Sequence, residues 1–142
     1  MRVSTKGDYG LRALIELSHR NGRGPVQSND IAAAQDIPVA YLDQLLTTLR
    51  RSGFIRSIRG PQGGHVLARD PEDLRLSDVL KALEGSLAPV SWLEDEVCPD
   101  RVRAQRVVWQ EVHDACMTVL ERTTVSDLAR RDKEGSVERY SI

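Results

Sequence analysis

Arg59-Gly60-Pro61-Gln62-Gly63-Gly64-His65 is the stretch that decides how this 142-residue chain is built. Its glycines supply positive φ and its proline presets its own φ, which is what a tight chain reversal needs. Phe54-Ile55-Arg56-Ser57-Ile58 precedes it with apolar and polar residues at the strand period of two, and Val66-Leu67-Ala68 resumes a short apolar strand behind it. The prediction is a β-hairpin with Arg59 near its tip. A phosphate-cradling loop is the rival reading of any glycine-rich run. It needs a Gly-Lys-Ser/Thr signature opening a helix, whereas these glycines lead into a strand.

Upstream of the hairpin, Tyr41, Leu42, Leu45, Leu46 and Leu49 trace one face of a helix over Val39 to Ser52, with Gly53 suited to the left-handed residue behind it. Ser28-Asn29-Asp30 caps a short helix through Ile31, Ala32 and Ala34 to about Gln35, and Asp36-Ile37-Pro38 is the turn between the two. A first helix follows Ser4 as N-cap, carries Leu11, Leu14, Ile15 and Leu17, and stops at Asn21-Gly22-Arg23-Gly24-Pro25. Helix, tight turn, helix and hairpin is the order of a winged helix-turn-helix. The fold class expected is mainly α with a small β-hairpin wing.

Downstream, Asp70-Pro71-Glu72-Asp73 is a polar connection, and a short helix over Ser77 to Glu84 ends at Gly85. Pro89 breaks the chain again, and Trp92-Leu93 heads an acidic segment ending in Glu94-Asp95-Glu96. From about Arg101 to Arg122 runs a longer helix with Val102, Val108, Trp109, Val112, Cys116 and Val119 largely along one stripe. At ~1.5 Å per residue such a helix is about 33 Å long and outreaches a core this small, so part of its stripe is expected to meet a second subunit. Thr123-Thr124 caps a last short helix holding Val125, Leu128 and Ala129. Three units are expected: a winged helix-turn-helix over residues 1–85, linker and dimerisation or effector helices over 86–130, and a mobile charged tail over 131–142.

The formal net charge of −1 conceals a split: ten Lys/Arg face six Asp/Glu through residue 70, and ten face fifteen after it. A basic half joined to an acidic half suits one part meeting a polyanion and another meeting protein. No run approaches a membrane span and residues 1–6 lack the apolar stretch of a signal peptide, so no membrane role and a cytoplasmic location are expected. The two cysteines, Cys98 and Cys116, do not make a disulfide scaffold. No nucleophile–base set, paired acids or metal quartet points to an enzyme.

Ala40, Asp43, Gln44 and Thr47 occupy the face opposite the leucines, near the N-terminal half of the second helix-turn-helix element. In that position glutamine can pair with adenine and a carboxylate can accept from cytosine N4 in the major groove. The bland alternative is a solvated helix face. Arg50, Arg51, Arg56, Arg59, Arg2 and Lys6 surround these residues and suit phosphate contacts, and Arg59 on a thin tip suits a narrow minor groove. His65, at the start of the second wing strand, is a further phosphate candidate against an ordinary packing role.

Met1 to Leu11, Tyr41-Leu42-Asp43-Gln44-Leu45-Leu46, Ile58 to Gly64 and Leu83-Glu84-Gly85 together resemble the Rrf2 family of bacterial transcription regulators over nearly the whole chain. The resemblance implies a homodimer of winged helix-turn-helix domains, tied by the long helix and reading an imperfect palindrome in double-stranded DNA. It places Ala40, Asp43 and Gln44 at base-reading positions and Arg59 in the minor groove. Family members that hold an iron–sulfur cluster carry three cysteines between the short and long helices. This chain has only Cys98 there, with Trp92 and Ala104 near positions that would need sulfur, so no cofactor is expected. A mixed ligand set using Asp8 and Cys98 is the alternative. The resemblance is strongest to the CymR-type branch, which governs cysteine and sulfur metabolism and partners with cysteine synthase. That implies a repressor, and gives Ile142, with its free carboxylate, a partner-docking use set against a plain tail; an enzyme-docking module without operator reading is the further alternative.

Overall fold

The computed structural model describes residues 1–140, with side chains through Gly135, so Ile142 lies outside the described residues. In chain order the elements are α1 (Thr5–His19), α2 (Ser28–Gln35), α3 (Val39–Arg51), β1 (Ile55–Ile58), β2 (Gly64–Leu67), α4 (Leu76–Glu84), α5 (Arg103–Arg122) and α6 (Val125–Tyr140). Single 3₁₀ turns lie at Pro71–Asp73, Ser91–Glu94 and Asp100–Val102. The mainly α class with a hairpin wing is therefore what the chain adopts.

The helix-turn-helix forms because two short helices have an apolar face each and a residue that tolerates the turn between them. Ile31 and Ala32 are buried on α2, and Leu42, Leu45, Leu46 and Leu49 on α3. Asp36 takes the left-handed conformation at φ 54° and Ile37 N–H donates to Ala32 O at 3.0 Å, which closes the turn before Pro38 opens α3. α1 lays Ala13, Leu14 and Leu17 into the same core and packs on α2, α3, α4 and α6. Burying four leucines of α3 at ~1.5–3 kcal/mol each gives this one helix a large share of the core's driving force.

β1 and β2 pair antiparallel with Ile55 opposite Leu67 and Ser57 opposite His65. The strand alternation predicted from Phe54 to Ile58 is only partly kept. Phe54 and Ile55 are both buried, while Ile58 is 46% exposed. The hairpin touches the core only at its base, so its outer half has no apolar face to fill. The second strand also begins at Gly64, two residues before the apolar run, because pairing with the partner strand sets its start.

Two glycines on α1 let α4 come close. A Cβ on Gly7 would overlap Glu84 Oε1, and one on Gly10 would overlap Leu83 Cδ1. In that seam Glu84 Oε1 accepts from Ser4 N at 3.0 Å, Ser4 Oγ at 2.6 Å and Gly7 N at 3.0 Å. Ser4 is the N-cap residue of α1, as expected, but its side chain makes no capping bond; its hydroxyl goes to Glu84, which satisfies the helix N-terminus from across the seam. Ser28 likewise caps nothing. Gln27 is the N-cap of α2, and the Ser28 hydroxyl turns to His65.

α5 starts two residues later than expected, because Asp100–Val102 forms a 3₁₀ turn ahead of it. Its buried residue is Met117, which packs with Leu80 and Leu87 and lies off the predicted stripe. α6 is longer than the short helix expected. A reciprocal cap starts it, Thr124 Oγ accepting from Asp127 N and Asp127 Oδ2 accepting from Thr124 N, and helix continues to Tyr140 through residues read as tail. Contact with α1, including His19 Nε2 at 2.7 Å from Asp132 Oδ2, holds it there.

Candidate nucleic-acid interface

The leucine row of α3 faces the core, so the opposite row is left outward. Ala40, Asp43 and Gln44 are exposed, and Thr47 is half-buried with its hydroxyl donating to Asp43 O at 2.9 Å. Two side chains with hydrogen-bonding groups for base edges, Asp43 and Gln44, thus stand free in the first half of the helix, while Thr47 is engaged with its own backbone. Arg50 and Arg51 are exposed in the last turn, where the helix dipole also favours cations.

The wing carries exposed Arg56 and Arg59. Its tip is a turn over Gly60 to Gly63, closed by Gly63 N–H donating to Gly60 O at 2.9 Å. Gly63 is buried beneath the turn, and a Cβ there would overlap the Ile58 carbonyl oxygen. Gly64, at φ 151°, lies so close to the Val26 backbone that a Cβ would sit 2.6 Å from it. The tip is therefore shaped by backbone contact, and Arg59 stands beside it with its side chain free of the core.

His65 joins the pieces. Its Nε2 is 3.1 Å from Ser28 Oγ on α2 and its Nδ1 is 3.1 Å from Ser57 Oγ on β1. Both ring nitrogens are thus occupied, so a phosphate contact by His65 would have to displace a hydroxyl. Burial, the positive charge of Arg50 and, opposing them, the carboxylate of Asp43 act on the ring, and the net effect holds its pKa below the ordinary 6.5. The sensitivity to Asp43 and Arg50 places the outward row of α3 within electrostatic reach of the wing base. The folded protein binds fewer protons at His65 than the unfolded chain from pH 6.5 down to the folded value, so the stability His65 supplies is full above 6.5 and is lost as pH falls through that window. Urea midpoints taken at about pH 7.5 and 5.5 should fall more for the parent than for His65→Gln. Equal falls would remove His65 as the source.

Arg2 and Lys6 are exposed at the N-terminal end of α1. Tyr9 meets Tyr41 edge-to-face at 5.8 Å, which brings that end of α1 against the first turns of α3, and Lys6 is about one turn before Tyr9. Sequence reasoning missed three residues that position these groups: Glu84, Ser28 and Ser57. The Gly7/Gly10 pair, one helical turn apart, was the available sign of a close helix contact.

On α5, Val108, Val112 and Val119 are exposed, Trp109 and Cys116 are half-buried, and Val102 falls in the preceding 3₁₀ turn. Val107, outside the predicted stripe, is 72% exposed. Among the described residues no group of three or more His, Cys, Asp or Glu side chains is arranged to hold a metal. Asp8 is engaged with Arg12 through both carboxylate oxygens, at 3.1 and 3.0 Å, and the Cys98 thiol donates to Pro99 O at 3.6 Å. No helix of the described residues is long and apolar enough to cross a membrane.

A helix-turn-helix whose second helix turns a polar row outward beside an arginine-bearing wing defines a DNA-binding transcription regulator of the winged class. The chain belongs to the Rrf2 family, whose profile, described as an iron-dependent transcriptional regulator, matches residues 3–131. The regulator CymR of Bacillus subtilis (strain 168) is 42% identical over 129 residues, covering 91% of this chain and 90% of its own. The solved structure of CymR (YrzC), the global cysteine regulator of B. subtilis, superposes with a TM-score of 0.80 at 40% identity over 92% of this chain and 98% of that one. The structure of T. potens IscR gives a TM-score of 0.78 at 36% identity over 95% and 90% of the two chains. On these likenesses the chain is a CymR-like transcription regulator. Among the described residues no grouped donor set answers to the iron in the family's description: Asp8 is held by Arg12, Cys98 lies in the connection ahead of Asp100–Val102, and Cys116 is on α5.

Proposed function

We propose that the chain is a homodimeric repressor that reads an imperfect palindrome, with Ala40, Asp43 and Gln44 in the major groove and Arg59 in the minor groove. The observation that carries this reading is the two-sided character of α3, sealed by four leucines on one side and presenting Asp43 and Gln44 free on the other. Residues 1–85 serve as the DNA-reading part and 86–130 as the dimerising part. Arg2, Lys6, Arg50, Arg51 and Arg56 contact phosphates. The exposed valines Val108, Val112 and Val119 of α5 support dimerisation, because an apolar row on a helix already packed on α4 invites a second copy.

The test begins with a duplex selected by the parent protein from a randomised pool. Gln44→Ala is expected to relax choice at one base pair per half-site by ~1–3 kcal/mol, while Arg51→Ala weakens all duplexes alike and lowers the salt slope by about 1. If both variants bind every duplex as the parent does, α3 is not the reading helix.

The likeness to CymR supports control of cysteine metabolism as the regulatory output. We further propose that cysteine synthase is the partner and that Ile142 contributes to docking on it. Removal of Ile142 should abolish binding to cysteine synthase in a titration and leave DNA affinity unchanged; retained binding would discard this contact.

A further inference from the structure

We propose that His65 is a positioning residue that sets the angle of the wing against the helix-turn-helix and thereby the reach of Arg59. The proposal rests on the reading of the wing as a groove contact. Around His65 the chain is fastened at four points. Its backbone N–H donates to Val26 O at 2.8 Å and its carbonyl accepts from Val26 N at 2.9 Å. Its ring bridges Ser28 Oγ on α2 and Ser57 Oγ on β1, both at 3.1 Å. One imidazole thus ties both wing strands to the first turn of α2.

The chemistry suits a clamp. A neutral imidazole has one donor and one acceptor, and a serine hydroxyl can be either, so both contacts are satisfied whichever nitrogen carries the proton. Ser57 is the cross-strand partner of His65, so the ring lies over the ladder itself. Gly64 pressed on the Val26 backbone fixes the neighbouring position by contact. Beyond the clamp the hairpin closes on itself through the Gly60–Gly63 turn, and Ile58 is exposed. Arg59 follows Ser57 by two residues, roughly 7 Å of strand, so a small rotation at the clamp becomes a displacement of the guanidinium.

A double-mutant cycle tests this on the selected duplex. His65→Phe keeps an aromatic ring and removes both ring hydrogen bonds; it should weaken binding roughly fivefold to tenfold in the parent and less than about twofold in Arg59→Ala. Ser28→Ala/Ser57→Ala, which leaves the histidine and removes its partners, should give the same pattern and covers the case in which His65→Phe does not fold. Hydroxyl-radical cleavage should show minor-groove protection by the wing reduced in His65→Phe, while the base-pair preference that depends on Gln44 persists in a binding competition. A penalty that is equal with and without Arg59 would overturn the clamp alone, since His65 would then act by another route. An Arg59→Ala variant that binds as the parent does would overturn the groove reading and the clamp together.

Discussion

Gly63→Ala is expected to strip the wing from a protein whose helices remain folded. The new Cβ would overlap the carbonyl oxygen of Ile58, and it would also lie 2.9 Å from Arg59 C and Gly60 O, all of them backbone atoms of the same turn. No rotamer can relieve a clash between backbone atoms, so the turn itself must open. Overpacking of this kind costs ~1–3 kcal/mol or more. Only Ile55 and Leu67 of the two strands are buried in the core, so the helical part can survive that loss. Far-UV circular dichroism should therefore stay near that of the parent, while affinity for the selected duplex falls at least about tenfold, the equivalent of ~1.4 kcal/mol of lost contact. Parent-like affinity would mean that the wing does not hold DNA.

Glu84→Ala should be the next most damaging change, although Glu84 carries no groove contact. Its Oε1 is the acceptor for Ser4 N, Ser4 Oγ and Gly7 N, and Gly7 is buried. Truncation leaves donors at the N-terminus of α1 without a partner and removes a negative charge from the positive end of the helix dipole. A loss of ~1–3 kcal/mol is expected in urea unfolding, with Glu84→Gln falling between parent and alanine. Because Arg2 and Lys6 sit at the same end of α1, affinity should drop alike for all duplexes. An unfolding midpoint equal to the parent's would show that Ser4 and Gly7 find other acceptors.

The helix-turn-helix and the wing were legible because local sequence dictates them. Leu42, Leu45, Leu46 and Leu49 fall on one face at helical spacing, and a run holding Gly60, Gly63 and Gly64 has few alternatives to a tight reversal. The outward row of α3 followed from the same periodicity. What stayed hidden depends on contacts between distant residues. Glu84 reaches Gly7 across 77 positions, and the Gly7/Gly10 pair signals a close helix contact without naming its partner. Residues 131–140 are charged and were read as tail, yet helix runs through them after a Thr124–Asp127 cap and a His19–Asp132 contact to α1. Alternation marked Phe54 to Ile58 as strand but could not tell that Ile58 would be exposed, because the outer wing has no core beneath it.

The separation of roles on α3 bears on how such a regulator can change its address in the genome. The residues that make the helix fold, Leu42, Leu45, Leu46 and Leu49, share no position with the exposed Ala40, Asp43 and Gln44. Exposed substitutions away from special features change stability by less than about 0.5 kcal/mol. Mutations in that outward row can therefore accumulate without passing through unfolded intermediates, and a whole row can be transplanted from one relative to another as a block. If this row reads the operator, as proposed, rewiring a promoter set needs changes at these surface positions alone, with the scaffold inherited intact.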